Sequence, residues 1–408
     1  MERVDSGYGE PLSAHAFSIQ SCVGMLHQNK RVAREEGLKD LVAALEGFVR
    51  TDELDCQYEQ ALDSCFSFLR SGSATERKDA YRAIGIYALT VGGSKAQNLL
   101  DRLFDLDRLS GMVPSSPSDA ERAVAAINCL AAVTLVSATK WSWSNAKPSL
   151  KAVWEVIEQS QDTAVPRVLS AAMSAWTLLL PKAGKLGTMK SPYKIFSKLL
   201  RADDSAVRMA AGEALAVCVE LNYAPYLPLP PRSSRYYYYR QQPKPEDRSL
   251  LDSRVAELAD GADVAHKKER ANETNLFRQI KELLEANPPP VEAKPYGSPP
   301  EDKPEAVSRP VEPWSWSSTG GCRVKVKTWA KLVQLNFLRQ YLGEESFAAH
   351  FQLNRPLFRD SLGLNRAAGG AEEEDLPAQE KKQLRNDKDK QRTKDINKDR
   401  RNKNKQYD

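Results

Sequence analysis

The sequence DDSAVRMAAGEALAVCVE, from Asp203 to Glu220, decides the fold class. Its two leading aspartates stand where a helix would begin, and their carboxylates suit the positive end of a helix dipole. Small and apolar residues then recur at three- and four-residue steps, which is the spacing of one buried helix face. The alanines and Gly212 on that face allow a neighbouring helix to approach closely. The stretch therefore predicts a helix packed tightly among others.

The same pattern recurs along the first half of the chain. Similar stretches follow Arg34, Arg77, Arg122, Arg167 and Arg208, at separations of 43, 45, 45 and 41 residues. A period of about 40 to 47 residues is typical of helical units stacked into an α-solenoid, as in armadillo and HEAT repeats. Each interval has room for a partner helix, and segments rich in Gly, Pro and Ser separate the units. We predict an all-α, armadillo/HEAT-like solenoid of about five helix-pair repeats.

Changes in composition divide the rest of the chain. The segment 287–313 contains nine prolines among 27 residues, so it reads as an extended linker. The predicted segments are a disordered N-terminus at 1–11, the solenoid at 12–285 with a Pro- and Tyr-rich insertion at 223–248, the Pro-rich linker at 286–312, a small C-terminal unit at 313–366 and a charged, basic tail at 367–408. Within the solenoid, His266–Asn275 reads as a polar joint between two helices.

The C-terminal unit is expected to be mainly helical. Helical spacing runs from Thr328 to Leu342, and Phe347–Leu353 predicts a second short helix. The segment Val324–Val326 is either one extended strand or an entry segment. About fifty residues are marginal for independent stability, so we expect this unit to dock on the last helices of the solenoid.

Composition points to an intracellular protein without a membrane span. No run of 18 apolar residues is present, and the first thirty residues lack the pattern of a secretory signal. Six cysteines are scattered without a Cys-x-x-Cys pair, which favours core thiols in a reducing compartment over disulfides or zinc. We expect the protein in the cytoplasm and the nucleus.

No motif predicts catalysis, a metal site or a cofactor. The four histidines, His15, His27, His266 and His350, are dispersed and have no neighbour at metal-ligand spacing. His350 follows an apolar helical stretch and is interpreted as a packing residue. The glycine pairs lie in turns or linkers, not in a phosphate-binding loop. We expect no enzyme activity, no cofactor and no small-molecule substrate.

With these parts located, the chain resembles the interferon-related developmental regulators over almost its full length. The resembling stretches are ERKDAYRAIGIYALTVGG from Glu76, RMAAGEALAVCVEL from Arg208, HKKERANETNLFRQI from His266, TWAKLVQLNFLRQYLGEESFAAHFQLNRPLFRDSLGL from Thr328, and QRTK and KDRR in the tail. The tyrosine run Tyr236–Tyr239 departs from that pattern; it either stacks on bases or lies in a loop against the solenoid. The resemblance implies regulation of gene expression without catalysis, either as a transcriptional coregulator associated with histone-deacetylase complexes or as a ribosome-associated factor that reduces translation.

The basic tail is the candidate nucleic-acid site. Residues 380–408 contain 12 Lys or Arg against 6 Asp or Glu, in a chain whose net charge is +5. We expect contact with RNA phosphates, including ribosomal RNA, from Lys388, Lys390, Arg392, Lys394, Lys398, Arg400, Arg401 and Lys403. One alternative is that the tail serves only nuclear import. In the other, the solenoid surface binds a corepressor subunit or a transcription factor in the nucleus.

Overall fold

The computed structural model describes the helical part of the chain and one strand pair. The described residues are 19–49, 54, 56–105, 112, 119–137, 143–160, 165–182, 192–221, 245–261, 267–286, 314–317, 323–326 and 328–362. The predicted segments 1–11 and 286–312 lie outside these ranges, apart from residue 286, and so does all of the tail.

Six helix pairs form the array in the part of the chain that the structure describes. The outer helices are α1 (Ile19–Leu26), α3 (Cys56–Ser71), α5 (Gly93–Asp105), α7 (Trp143–Ser160), α9 (Pro192–Leu199) and α11 (Pro245–Asp260). The inner helices are α2 (Arg31–Glu46), α4 (Ala74–Val91), α6 (Ala120–Ser137), α8 (Pro166–Leu179), α10 (Ser205–Glu220) and α12 (Lys267–Ala286). Each inner helix packs on the next inner helix and on the outer helix of its own pair. The predicted all-α solenoid is therefore confirmed, with six helix pairs in the described residues where about five were predicted.

Small residues let the inner helices pack closely. In α10, Asp204 caps the first turn by accepting a hydrogen bond from the Val207 amide at 3.0 Å, as its position predicts. Further along the same helix, a Cβ at Gly212 would come within 2.9 Å of both Phe277 and Ile280 of α12. A larger residue at position 212 would therefore force Phe277 or Ile280 to move, so glycine suits the close approach of α12.

Two of the repeat arginines join successive inner helices. Arg208 donates to both carboxylate oxygens of Glu273 in α12, at 2.6 and 2.9 Å, and the two side chains are only 4% and 1% exposed. Arg34 makes the equivalent bond to Glu76 of α4 at 2.7 Å. Each guanidinium also donates to two carbonyls of the loop before its own helix. Arg208 thus stabilises the stacking of repeats.

Some details differ from the sequence-based expectations. The segment His266–Asn275 is not a joint, because α12 begins at Lys267 and carries the buried Glu273 that pairs with Arg208. The last residues of the predicted insertion 223–248 belong to α11, which begins at Pro245; proline suits the first turn of a helix. Residues 222–244, including the tyrosine run, lie outside the described residues.

The C-terminal unit is mainly helical, as expected, with one small sheet. Strand β1 (Trp314–Ser317) pairs with β2 (Arg323–Val326), which shows that Val324–Val326 is a strand. Two helices follow, α13 (Trp329–Leu342) and α14 (Glu344–Leu353), and then a π-helical turn, Pro356–Ser361. Of the described residues, 326 and 328–362 belong to the same compact unit as the array, whereas 315–317 and 323–325 belong to a second unit.

The core of the array accounts for the cysteines and for one apolar helix. Cys22, Cys65, Cys129 and Cys218 are buried, so the prediction of core thiols is confirmed for these four. Burial raises the pKa of the Cys22 thiol to about 12. Helix α6 is long and apolar enough to cross a membrane by length and composition, but 72% of it is buried inside the fold. Its apolar character fits its position among the inner helices.

Candidate functional site: the inner face of the array

Helix α13 lies across the row of inner helices. It packs on α10 and α8, and its C-terminal end reaches α4. A helix of 14 residues is about 21 Å long, so α13 extends along several of the inner helices. The expected docking of the C-terminal unit is therefore observed, and it extends beyond the last helices of the array to the second pair.

Glu220 of α10 holds the N-terminal end of α13. Its carboxylate accepts hydrogen bonds from the Trp329 and Ala330 amides, both at 2.8 Å. Thr328 accepts a third bond from the Lys331 amide at 3.3 Å. Because the first amides of a helix have no partner within the helix and carry partial positive charge, a carboxylate is well suited to this position.

Arg82 of α4 holds the opposite end. Its guanidinium donates to the carbonyl oxygens of Tyr341 and of Leu342, the latter at 3.3 Å, and lies over the Tyr341 ring at 4.6 Å from the centroid. Glu46 of α2 fixes the guanidinium from the other side at 2.7 Å. A cation at the C-terminal carbonyls complements the negative end of the helix dipole. The array therefore supplies a charge of the right sign at each end of α13.

Tyr341 also requires a glycine in the array. Its hydroxyl lies in the space that a Cβ at position 85 would occupy, so that only Gly85 fits beneath the ring. Burial raises the pKa of the Tyr341 phenol far above its usual range. The contact between α13 and α4 therefore depends on both Tyr341 and Gly85.

Helix α14 and its following residue bind carbonyls at the ends of two inner helices. His350 Nε2 lies 3.0 Å from the Leu45 carbonyl oxygen of α2, and Asn354 donates to the Leu89 carbonyl oxygen of α4 at 2.8 Å. Lys182 makes a similar hydrogen bond at the end of α6, where it donates to the Leu135 carbonyl oxygen. Each of the three carbonyls belongs to the last turn of an inner helix, where it has no partner within the helix.

Burial makes His350 a neutral side chain. The imidazole is 0% exposed and packs edge-on against Phe48 at 5.2 Å between ring centroids. Desolvation, opposed by the hydrogen bond to Leu45, lowers the pKa of His350 to about 4. The interpretation of His350 as a packing residue is confirmed, and the structure adds its hydrogen bond.

Beside α13, the inner face contains an open cavity of 1230 Å³, which we call the inner trough. Its floor is formed by the first halves of α4, α6, α8 and α10, where small residues predominate: Ala120, Ala125, Ser170, Ala171, Ser174 and Ala210. One wall is α13, through Val333, Asn336, Phe337, Gln340 and Tyr341, which recur at helical spacing on one face. The trough is therefore shaped jointly by the array and by the C-terminal helix.

Glu213 is the most perturbed carboxylate in the trough. It lies on α10, accepts a hydrogen bond from Asn336 of α13 and lines the cavity. Partial burial of the carboxyl group raises the pKa of Glu213 to about 7, against the lowering effect of the hydrogen bond from Asn336. A cation that approaches this position would stabilise the ionised form of the carboxylate.

The candidate site predicted from the sequence is the basic tail, whereas the structure shows the inner trough and the contacts of α13. All eight predicted tail residues, Lys388, Lys390, Arg392, Lys394, Lys398, Arg400, Arg401 and Lys403, lie outside the described residues. Glu220, Arg82, Gly85 and Glu213 were not singled out, because each acts through a partner more than 100 residues away. Among the described residues, no group of His, Cys, Asp or Glu is arranged to hold a metal ion.

These contacts define an armadillo-like α-solenoid that carries its own C-terminal helices on its inner face. The sequence profile of the interferon-related developmental regulator family matches residues 7–285, and the chain belongs to that family. Among the curated proteins, none matches the sequence.

Several solved chains are similar to this one, among them two engineered proteins. A designed armadillo repeat protein has 15% sequence identity and a TM-score of 0.39, with 65% of this chain and 100% of that chain covered. A second engineered protein has 14% identity and a TM-score of 0.39, with 65% and 96% covered.

Proposed function

We propose that this protein is a non-enzymatic scaffold that regulates gene expression by binding ribosomal RNA through its basic tail, thereby reducing translation. The observation that carries the proposal is the charge of residues 380–408, 12 Lys or Arg against 6 Asp or Glu. Such a segment gains affinity for RNA chiefly by releasing the counterions condensed on the phosphates. The solenoid contributes the folded platform that carries the tail.

The anchoring of the C-terminal helices supports this arrangement. Leu362, only 1% exposed, lies 18 residues before the basic segment begins. Its carbonyl oxygen accepts a hydrogen bond from Lys331 of α13, and α13 is held at both ends by the array. The basic segment is therefore joined by a short stretch of sequence to a fixed point of the fold. A tethered basic segment reaches its RNA at a higher effective concentration than a free one once the scaffold is bound nearby.

Salt dependence of ribosome binding tests the proposal. Full-length protein is sedimented with purified ribosomes over a series of salt concentrations, beside a variant in which Lys398, Arg400, Arg401 and Lys403 are changed to Gln. If these four side chains contact single-stranded phosphates, the slope of log K against log salt should fall in magnitude by about 3. The matched control changes four exposed lysines of the array, Lys39, Lys147, Lys151 and Lys194, to Gln and should leave the slope unchanged. An unchanged slope in the tail variant would refute the proposal.

The competing function is a nuclear coregulator that recruits histone-deacetylase or transcription-factor complexes through the solenoid surface. In that case the tail serves only import. The tail variant would then fail to enter the nucleus, while its binding to ribosomes in vitro, if any, would match that of the unaltered protein. Affinity purification of both proteins from nuclear and nuclease-treated cytosolic fractions separates the two functions.

A further inference from the structure

The inner trough is lined by more acidic than basic side chains. Its lining carries four basic side chains, Lys78, Arg82, Arg167 and Arg208, and five acidic ones, Asp79, Glu121, Asp203, Asp204 and Glu213. Two of the four cations are already paired with carboxylates outside the trough, Arg82 with Glu46 and Arg208 with Glu273. Two cations then face five acidic side chains, which leaves an excess of acidic groups, although Glu213, whose pKa is about 7, is only partly ionised at neutral pH. This excess opposes the entry of RNA, whose backbone is itself negatively charged.

Glu213 concentrates that excess at one point. Among the described residues, no basic side chain forms an ion pair with it, and its contact is the neutral amide of Asn336. Lys78 and Arg167 are both directed to Glu121, at 3.7 and 4.0 Å. The carboxylate of Glu213 is therefore desolvated without a compensating positive charge, an arrangement that a cationic ligand would relieve.

The dimensions of the trough suit an extended chain. Its floor crosses four successive inner helices, α4 to α10, and neighbouring helices are 8–10 Å apart, so that its length is about 24–30 Å. An extended polypeptide of about eight residues has that length. Asn128 on the floor and Gln340 on the wall present amide groups that both donate and accept hydrogen bonds, as a peptide backbone requires. The Ala and Ser residues between them let a backbone approach closely.

We propose that the inner trough binds an extended segment of a partner protein that carries lysine or arginine, with one basic side chain directed to Glu213. Asn128 and Gln340 bond to the backbone of the segment, and the wall formed by α13 fixes its register. This surface is independent of the basic tail. The scaffold then has two binding surfaces of opposite charge, one for a basic protein segment and one for RNA.

Binding of a defined probe tests this inference. The probe is a fluorescein-labelled dodecapeptide of alternating lysine and serine, titrated with the full-length protein at 150 mM salt and followed by fluorescence anisotropy. The Glu213→Gln variant should bind it about tenfold more weakly at pH 8. Because a basic side chain binds the ionised carboxylate, the affinity of the unaltered protein should rise between pH 6 and pH 8, and this rise should be absent in the variant.

Two controls separate the trough from general charge effects. Glu59→Gln removes an exposed carboxylate of outer helix α3, whose side chain is 62% exposed, and should leave the affinity unchanged. Ser174→Trp fills the floor without changing charge and should abolish binding. Equal affinities for the Glu213 and Glu59 variants, or undiminished binding to the Ser174→Trp variant, would overturn the proposal. None of these outcomes bears on the salt dependence of the tail.

Discussion

The hydroxyl of Tyr341 occupies the space above Gly85 that the side chain of any other residue would need. The two residues are 256 positions apart, and their contact joins the C-terminal helix to the second pair of the array. Gly85 lies in the middle of α4, where a glycine lowers helix stability by about 1 kcal/mol relative to alanine. Close packing of the ring offsets that cost.

Replacing Gly85 with alanine should therefore destabilise the protein, although alanine is the better helix former. Overpacking typically costs about 1–3 kcal/mol, and its effect should be local to the docked helix. Hydrogen exchange measured by mass spectrometry should show faster exchange in residues 329–342. Gly24→Ala in α1 is the control, because nothing lies within 4 Å of the added Cβ, and it should be neutral or stabilising. Equal exchange rates in both variants would contradict the interpretation.

Glu220→Ala should loosen the other end of α13. The substitution leaves two amide groups without their carboxylate, and loss of a helix cap typically costs about 1 kcal/mol. We expect faster exchange at the Trp329 and Ala330 amides and a lower midpoint in urea. Glu220→Gln should recover part of the loss, since its carbonyl oxygen still accepts one bond. No change in α13 exchange in the alanine variant would exclude the capping role.

The Arg208–Glu273 pair should behave as a buried ion pair. Removing one partner by Glu273→Ala leaves an uncompensated charge and should lower the free energy of unfolding by about 3–5 kcal/mol. The double change Arg208→Met with Glu273→Leu should cost much less, because no charge is then buried alone. Arg31→Ala breaks the exposed pair with Glu35 and should leave stability almost unchanged, because solvent screens exposed ion pairs. Additive effects in the double variant would refute the coupling.

His350 should make stability depend on pH. Its pKa is lowered from 6.5 to about 4 in the folded protein, so the unfolded chain takes up the proton first as the pH falls. Its contribution to stability is complete above pH 6.5 and is lost progressively towards pH 4; about 2 kcal/mol should be lost between pH 7.5 and pH 5.

The His350→Gln variant isolates this effect. Glutamine can still donate to the Leu45 carbonyl oxygen but does not titrate in this range. Urea unfolding of both proteins at pH 7.5 and pH 5 gives the difference, which removes the opposite contribution of Glu213, whose pKa is raised. If both proteins lose the same stability on acidification, His350 is not the group responsible.

The solenoid was predictable because its signals are local. Arg208 and the alanines of α10 repeat at a fixed spacing, and helical periodicity alone identifies their face. The segment around Glu273 was misread as a joint because its polar residues hide a buried ion-pair partner 65 positions from Arg208. The docking of α13 was foreseen only in outline. Periodicity shows that Tyr341 needs a partner surface, but Gly85, Arg82 and Glu220 are identified only by the three-dimensional fold.

The position of α13 between Glu220 and Arg82 changes how the array unfolds on heating. In a simple repeat array each unit interacts only with its neighbours, so its ends fray independently. Here a single helix bridges the fifth pair to the second, and α14 reaches the first. Distant repeats are thereby coupled into one cooperative block. The C-terminal helices act as a brace, and their removal should turn a single sharp melting transition into a graded one.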